Sequence, residues 1–351
     1  MFLARLGSLN ALEQERKSWK LRFGEPLPSA DTVGRVFTKI RTDDLRSFNR
    51  GLYTRLKRNK ALAPLFGHNV LVIDGHESSA SFRRRCPGCL KRTLSDGGVQ
   101  FYHRLVQAVV LGLPFLLDSE PQRAGEDEVG CARRLLERVV RTYPKAFDLV
   151  VADGLYLKAP FVSWLREHGK DVIIVLKDER RDLLQDAMGI FRGQEPDAVV
   201  EGRLTRRIWD VDDLTSWPTL GVPVRVVRSV EARTVKRQRD GEIETVESEW
   251  VWMTTLSRDQ TSALDVVRLG HRRWDIENRG FLELVKDWNA DHVYRHHPRA
   301  IEAFWLVAML AVNLFRAFMK LNIKPALRTK HTQIYFASQI SAEFHLDGLL
   351  L

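Results

Sequence analysis

Val70-Leu71-Val72-Ile73-Asp74-Gly75 is an unbroken apolar, largely β-branched run that stops at a carboxylate. Such a run predicts a strand buried on both faces, with Asp74 at its tip. The pattern returns at Phe147 to Ala152 and closes on Asp153-Gly154, which places Asp153 79 residues after Asp74. Between the two, Phe101 to Gly112 reads as a second strand. Phe115-Leu116-Leu117 reads as a third, reached by a turn at Gly112 to Pro114. A helix from about Glu126 to Thr142 follows, with Cys131, Leu135, Leu136 and Val139 on one apolar face. Beyond Asp153 the spacing predicts a helix over 157–168 and a fifth strand over Val172 to Leu176. Three strands, helix, strand, helix, strand is an α/β order with a mixed sheet and flanking helices, because the first three strands can meander while the last two need crossovers.

This order resembles the ribonuclease-H-like fold. Val199-Val200, Arg207-Ile208-Trp209, Val222 to Val227 and Trp250 to Met253 are short strand-like runs with turns at Gly221 and Asp240-Gly241, which predicts a β-rich insertion. Helices over about 261–289 and 299–320 complete the core. On the other side, Ser29 offers an N-cap to a short helix carrying Val33, Val36, Phe37 and Ile40. A second helix over Asp44 to about Lys60 aligns Leu45, Phe48, Leu52 and Leu56, with Arg46, Arg50, Lys57, Arg58 and Lys60 largely off that face. The expected layout is a basic helical DNA-binding region over 1–65, the first part of the core over 66–180 and the insertion over 181–258. The helical remainder of the core covers 259–322, and a tail covers 323–351.

The 351 residues carry 55 Lys or Arg against 45 Asp or Glu, a net charge of +10. Residues 1–60 hold 14 of the basic and 6 of the acidic side chains, so +8 of the surplus lies there. A localised basic excess points to a polyanionic partner, with a solvated helix face as the plain alternative. Ordinary globular composition, 44% hydrophobic and 28% charged, excludes a disordered or fibrous chain. The longest apolar run, Ala303 to Phe315, is 13 residues and contains Asn313, short of the roughly 20 that span a bilayer, so no membrane partner is expected. Three cysteines are too few for a disulfide framework. With no secretory leader apparent, the chain is expected to be cytoplasmic, and nucleoid-associated in a bacterium.

Two carboxylates brought together by neighbouring strands repel one another unless a cation lies between them. Oxygen ligands of this type suit Mg²⁺ or Mn²⁺. A strand-end Asp-Gly is equally a common turn opener. A third element is His271-Arg272-Arg273-Trp274-Asp275-Ile276-Glu277-Asn278, in which Arg273 and Glu277 are spaced to share a helix face. Followed by Phe281 and Leu284, this stretch resembles the C-terminal signature of insertion-sequence DDE transposases, and more narrowly the insertion-sequence-four group with its Tyr, Arg, Glu, Lys pattern. The signature's Tyr position is Gly270 here, its Lys position is Leu284, and Lys286 lies nine residues after Glu277.

The resemblance implies that Asp74, Asp153 and Glu277 are the catalytic and metal-binding triad, and that Asp153-Gly154-Leu155-Tyr156 is the second motif. It implies two Mg²⁺ or Mn²⁺ ions, phosphodiester hydrolysis followed by transesterification without a covalent enzyme intermediate, and a homodimer acting on paired transposon ends and target DNA. Arg272, Arg273, Asn278, Lys286, Arg58 and Lys60 are the implied or candidate DNA contacts. Trp288, Trp274, Trp209 and Trp252 are candidates for stacking on a base, each weighed against packing in the core. A nuclease of the same fold that does not join ends, and a silent transposase-derived DNA-binding protein, are the alternatives.

Cys86-Pro87-Gly88-Cys89 lies among Arg83, Arg84, Arg85, Lys91 and Arg92. Cys86 and Cys89 offer two zinc ligands, with His103 and His76 the nearest candidates to complete a set. A basic loop with two incidental thiols is the alternative. Cys131 reads as core. Glu77, Asp118 and Glu120 stand near strand ends, with Glu120 expected in an exposed turn. His292, His296 and His297 imitate a metal cluster, but His296-His297-Pro298 just before a helix reads as a polar turn, with phosphate contact as the alternative.

Overall fold

The computed structural model describes residues 2–16, 19–20, 24–178, 181–236 and 241–345. Asp240 of the expected turn and residues 346–351 of the tail lie outside them. The chain divides into two compact units. The first comprises Met1–Ala63, Asp74–Pro144 and Asp275–Leu351, and the second Pro64–Ile73 and Lys145–Trp274.

In the first unit the helices are α1 (Leu9–Gln14), α2 (Ala30–Phe37) and α3 (Thr42–Arg58). Ser29 caps α2 as its spacing predicts, its hydroxyl accepting the Thr32 N–H at 3.2 Å. Asp43 and Asp44 in the first turn of α3, and Arg55, Lys57 and Arg58 in its last, complement the helix dipole. The strands are β1 (Val70–Ser81), of which Asp74 onward belongs here, β2 (Leu90–Thr93), β3 (Val99–Val110) and β4 (Phe115–Pro121). β2 pairs antiparallel with β3, β3 pairs antiparallel with β4, and β3 neighbours β1. The β3–β4 turn needs a glycine: Gly112 has φ +99°, and a Cβ there would lie 2.1 Å from the Ala63 carbonyl oxygen.

α4 (Glu128–Thr142) packs on β3 and β4, and Asp127 caps it by accepting the Gly130 N–H at 2.7 Å. Its Cys131 is buried, as expected. Much of the unit's core is built on one long helix, Pro298–Asn322. That helix is long and apolar enough to cross a bilayer, but 72% of its apolar window is buried within the protein, which marks a core helix. Asn313 on it donates to Asn49 and to the Leu116 carbonyl, both at 2.9 Å, joining it to α3 and β4 through a fully satisfied buried amide. Phe37 stacks on Phe304 at 3.7 Å. Arg46, expected off the apolar face of α3, instead lies inside the unit between Asp118 at 2.9 Å and Glu302 at 2.7 Å.

The second unit holds Val70–Ile73 of β1, then β5 (Leu149–Ala152), β6 (Asp171–Val175), β7 (Asp197–Glu201), β8 (Leu204–Leu214), β9 (Val224–Lys236) and β10 (Ile243–Thr254). β1 is parallel to β5 and β5 to β6. α5 (Ala159–Glu167) fills the last crossover, α6 (Asp182–Phe191) precedes β7, and α7 (Ala263–His271) packs against β5, β6, β8, β9 and β10. Chain order and pairing of β1, β3, β4, β5 and β6 make the fold ribonuclease-H-like. The β-rich insertion consists of long strands rather than short runs. It is not a separate sheet, because β10 pairs antiparallel with β6, with Met253 beside Ile174.

Candidate active site

Val70 to Ile73 are each at most 1% exposed. In the second unit Val70 lies beside Leu149, Leu71 beside Val150 and Val72 beside Val151. Two residues past the last of these pairs the β1 chain reaches Asp74 and the β5 chain reaches Asp153. Carboxyl ends of parallel strands are where α/β sheets expose functional side chains. β1 does not stop at Asp74, as the sequence suggests, but continues to Ser81. Asp74 therefore marks the point where four buried residues give way to half-exposed ones, not a strand tip.

Asp153 is both a turn opener and a candidate ligand. Its carboxylate accepts the Leu155 N–H at 2.9 Å and caps the 3₁₀ turn Gly154–Tyr156. A carboxylate has about four acceptor positions, so capping is compatible with coordination. Asp74 similarly accepts the Gly75 N–H at 2.9 Å.

In the first unit Asp74, Gly75 and His76 line a cleft with Glu277, Phe281, Leu282 and Val285. Glu277 does not lie on the continuous helix that its 3.6-residue periodicity predicts. α7 ends at His271 and a turn follows at Arg272 and Arg273; Ile276–Leu282 is then a π-helix leading into α8 (Glu283–Trp288). The expected common helix face of Arg273 and Glu277 is thereby lost. A π-turn needs other partners for its displaced carbonyls, and it has them. Gln107 donates to the Gly280 carbonyl at 3.5 Å, Trp305 holds Gln107 at 3.1 Å, and Arg316 donates to the Arg279 carbonyl. Gly280 is required there, because a Cβ would stand 2.9 Å from the Ile276 side chain and 3.4 Å from Val109.

The departures from the transposase signature have a physical basis. A Cβ at Gly270 would fall 2.3 Å from the Trp252 indole nitrogen, so no tyrosine fits. His271 sits next to it, edge-on to Trp250 and Trp252, with Nε2 2.7 Å from the Glu231 carboxylate. Leu284 is fully buried, which no DNA-contacting lysine could be. Lys286 is exposed on α8 but is not among the residues lining the cleft.

Among the other candidates, Arg273 is only 9% exposed and holds its guanidinium 4.2 Å over the Trp274 ring, while Trp274 is 42% exposed. Arg272 is half-buried and Asn278 exposed. Arg58 and Lys60 are exposed at the end of α3. Trp209, Trp252 and Trp288 are buried. Glu77 pairs with Arg92 at 2.7 Å. Glu120 is buried rather than exposed, because β4 runs on to Pro121 and carries it into ion pairs with Arg134 and Arg138, beside Asp118 and Arg138 at 2.6 Å.

His76 is not a partner of the cysteines. Its ring stacks on Phe281 at 4.7 Å and lies 5.6 Å from Trp305, and burial pushes its pKa down. The sequence reading missed Glu128, whose buried carboxylate lies where a Gly75 Cβ would be, 2.2 Å away, and pairs with Arg104 at 2.5 Å. The Gly at 75 was its only signal. It also missed His296, which lies against Cys89 rather than in a polar turn, whereas His292 is exposed.

Residues 65–314 match the family model of the transposase DDE domain. No curated protein matches the chain. Among solved structures it is similar to a piggyBac transposase chain, determined by cryo-EM in a synaptic complex with hairpin DNA. The likeness has a TM-score of 0.40 at 10% sequence identity, covering 86% of this chain and 59% of that one. With a family model spanning most of its length, the chain belongs to the transposase DDE domain family.

Proposed function

We propose that the protein is a metal-dependent DNA transposase that cleaves the ends of a mobile DNA segment and joins them to target DNA, with Asp74, Asp153 and Glu277 as its catalytic carboxylates. The observation that carries this reading is the cleft shared by Asp74 and Glu277 in a chain of the DDE family. The parallel register that brings β1 to Asp74 and β5 to Asp153 supports the third member.

The donor set fits the cations that the family uses: three half-buried carboxylates offer only oxygen, the chemistry preferred by Mg²⁺ and Mn²⁺. Divalent ions held there would polarise the scissile phosphate and lower the pKa of an attacking water or DNA 3′-hydroxyl. The chain's own contribution is positioning. The Leu155 N–H orients the Asp153 carboxylate, the π-turn presents Glu277, and the His76 ring packs on Phe281 in the wall of the cleft. Arg272, Lys286, Arg58 and Lys60 lie on exposed or half-exposed surface and would neutralise phosphates, Asn278 would donate an amide hydrogen bond to one, and Trp274 offers an exposed ring. Arg273 acts through Trp274, which it stacks against. Two copies of the chain, one per DNA end, are the expected assembly, acting on cytoplasmic or nucleoid DNA.

The test uses a duplex carrying the ends of the element that encodes the chain, a supercoiled target and Mg²⁺. Cleaved ends and joined products are expected. Binding without cutting, in Mg²⁺ and in Mn²⁺, contradicts the proposal, and cutting without joining reduces it to a nuclease.

A further inference from the structure

Four side chains from three separate stretches of the first unit converge away from the carboxylates. Cys86 and Cys89 come from the β1–β2 connection, His103 from β3, and His296 from the segment just before α9 (Pro298–Asn322). One donor atom from each lies within 4.8 Å of all the others. Cys89 Sγ is 3.6 Å from Cys86 Sγ, 3.3 Å from His103 Nε2 and 3.5 Å from His296 Nε2. Cys86 Sγ is 3.3 Å from His103 Nε2.

Four of the six edges of a tetrahedron are thereby 3.3–3.6 Å long. Zinc bonds of about 2.3 Å to sulfur and 2.0–2.1 Å to nitrogen require S···S of about 3.8 Å and S···N of about 3.6 Å. A disulfide would instead bring the sulfurs to about 2.05 Å, and both cysteines are free. Thiol-to-imidazole hydrogen bonds would join these atoms only in pairs, since each thiol is a weak single donor, whereas one metal ion engages all four.

The surroundings suit a bound metal. The Cys86 N–H donates to Cys89 Sγ at 3.2 Å, and the Cys89 N–H donates to the Cys86 carbonyl at 3.1 Å, closing a tight knuckle. Gly88 lets that knuckle seat on α9, because a Cβ would stand 2.8 Å from the Pro298 Cβ. His103 is 9% exposed, and its Nε2 lies 3.3 Å from both sulfurs, so the imidazole is held inside the unit beside the thiols.

We infer that Cys86, Cys89, His103 and His296 bind one structural zinc ion, which pins the β1–β2 connection and β3 to the start of α9. The same helix carries Trp305 and Arg316, whose bonds hold the π-turn around Glu277. The ion acts on that turn by positioning and does not touch the substrate.

Full-length protein purified without chelator should contain about one zinc per chain by elemental analysis. Exchange for Co²⁺ should produce thiolate-to-metal bands and the intense visible absorption of tetrahedral coordination. Cys86→Ser combined with Cys89→Ser should abolish both signals. His296→Ala should weaken zinc binding by more than the about 10–100-fold that loss of an outer-shell partner costs. Asp153→Asn should leave the zinc content unchanged. Wild-type protein without zinc and without a tetrahedral Co²⁺ spectrum overturns the assignment whether or not the variants fold. His296→Ala with wild-type zinc affinity, or zinc lost on Asp153→Asn, overturns it equally.

Discussion

Arg316, in the C-terminal half of α9, donates a guanidinium N–H to the main-chain carbonyl of Arg279, inside the π-turn that carries Glu277. Its other bonds go to the Pro114 carbonyl at 2.6 Å and the Glu283 carboxylate at 2.8 Å, and the side chain is only 3% exposed. One buried cation thus links the β3–β4 turn, the π-turn and the core helix. The π-turn persists because this partner replaces the intrahelical bonds that the wider turn gives up.

Arg316→Met keeps most of the volume and removes all three bonds. Leaving the carboxylate and two carbonyls unpaired should cost about 3–5 kcal/mol of stability. At temperatures where the variant remains folded, cleavage should slow as Glu277 loses its fixed position. Urea unfolding and initial cleavage rates measure the two effects. Wild-type behaviour in both would mean that the guanidinium does not hold the turn.

Arg225, 2% exposed in the second unit, makes a two-pronged pair with Asp210 at 2.8 and 3.0 Å and donates to the Thr261 carbonyl at 2.8 Å. Arg225→Ala removes the two-pronged pair and the donor to the Thr261 carbonyl, while Asp210 keeps its 3.0 Å pair with Arg258, and thermal unfolding should show a loss of about 1–3 kcal/mol. Arg225→Lys keeps the charge but not the fork and should recover only part of that loss; full recovery would show that the two-pronged geometry contributes nothing.

His68 stacks its hydrogen bonds between two partners, Asp148 at 3.2 Å and Thr261 at 2.6 Å. The bond to Asp148 raises the His68 pKa, with burial opposing it. Burial also opposes the shift at Asp148, where bonds from His68 and Asn69 prevail and hold the carboxyl below its usual range. A histidine with a raised folded pKa contributes stability in full below about 6.5, lost as pH rises through the folded value. The Asp148 share is present above about 3.8–3.9 and lost as pH falls through its lowered value. With Asp148 partly exposed, His68→Gln should cost about 1 kcal/mol at pH 6 and less at pH 8. An equal cost at both pH values would show that the pair is not ionic.

Arg58 and Lys60 are exposed where the basic surplus of residues 1–60 ends. Replacing both with Gln should weaken duplex binding at low salt. If each neutralises a phosphate, the slope of log K against log[salt] should flatten by nearly two. An unchanged slope would assign them to solvated surface.

Much of the core was legible because its signals are local. Val70 to Ile73 and Phe147 to Ala152 are continuous apolar runs, and Ser29 is a cap that forms. The extension of β1 through Gly75-His76-Glu77-Ser78 was not legible, because polar residues around a glycine read as a turn until β3 supplies their pairing. β10 joining β6 is likewise a pairing between distant segments, with no local trace. At the candidate site, the two aspartates and Glu277 stood out as residues, but periodicity at 3.6 cannot reveal a π-turn held by Gln107 and Arg316 from elsewhere in the chain. His296 was unreadable for the same reason: its partner Cys89 is 207 residues away.

The most direct test of the account compares end cleavage by wild-type protein, Asp153→Asn and Glu277→Gln in Mg²⁺, with circular dichroism and end binding as controls. Both variants should fold and bind the ends while cleavage falls by about 10³-fold or more, as expected for groups that act as one catalytic unit. Cleavage at the wild-type rate by either folded variant would contradict the assignment of these carboxylates.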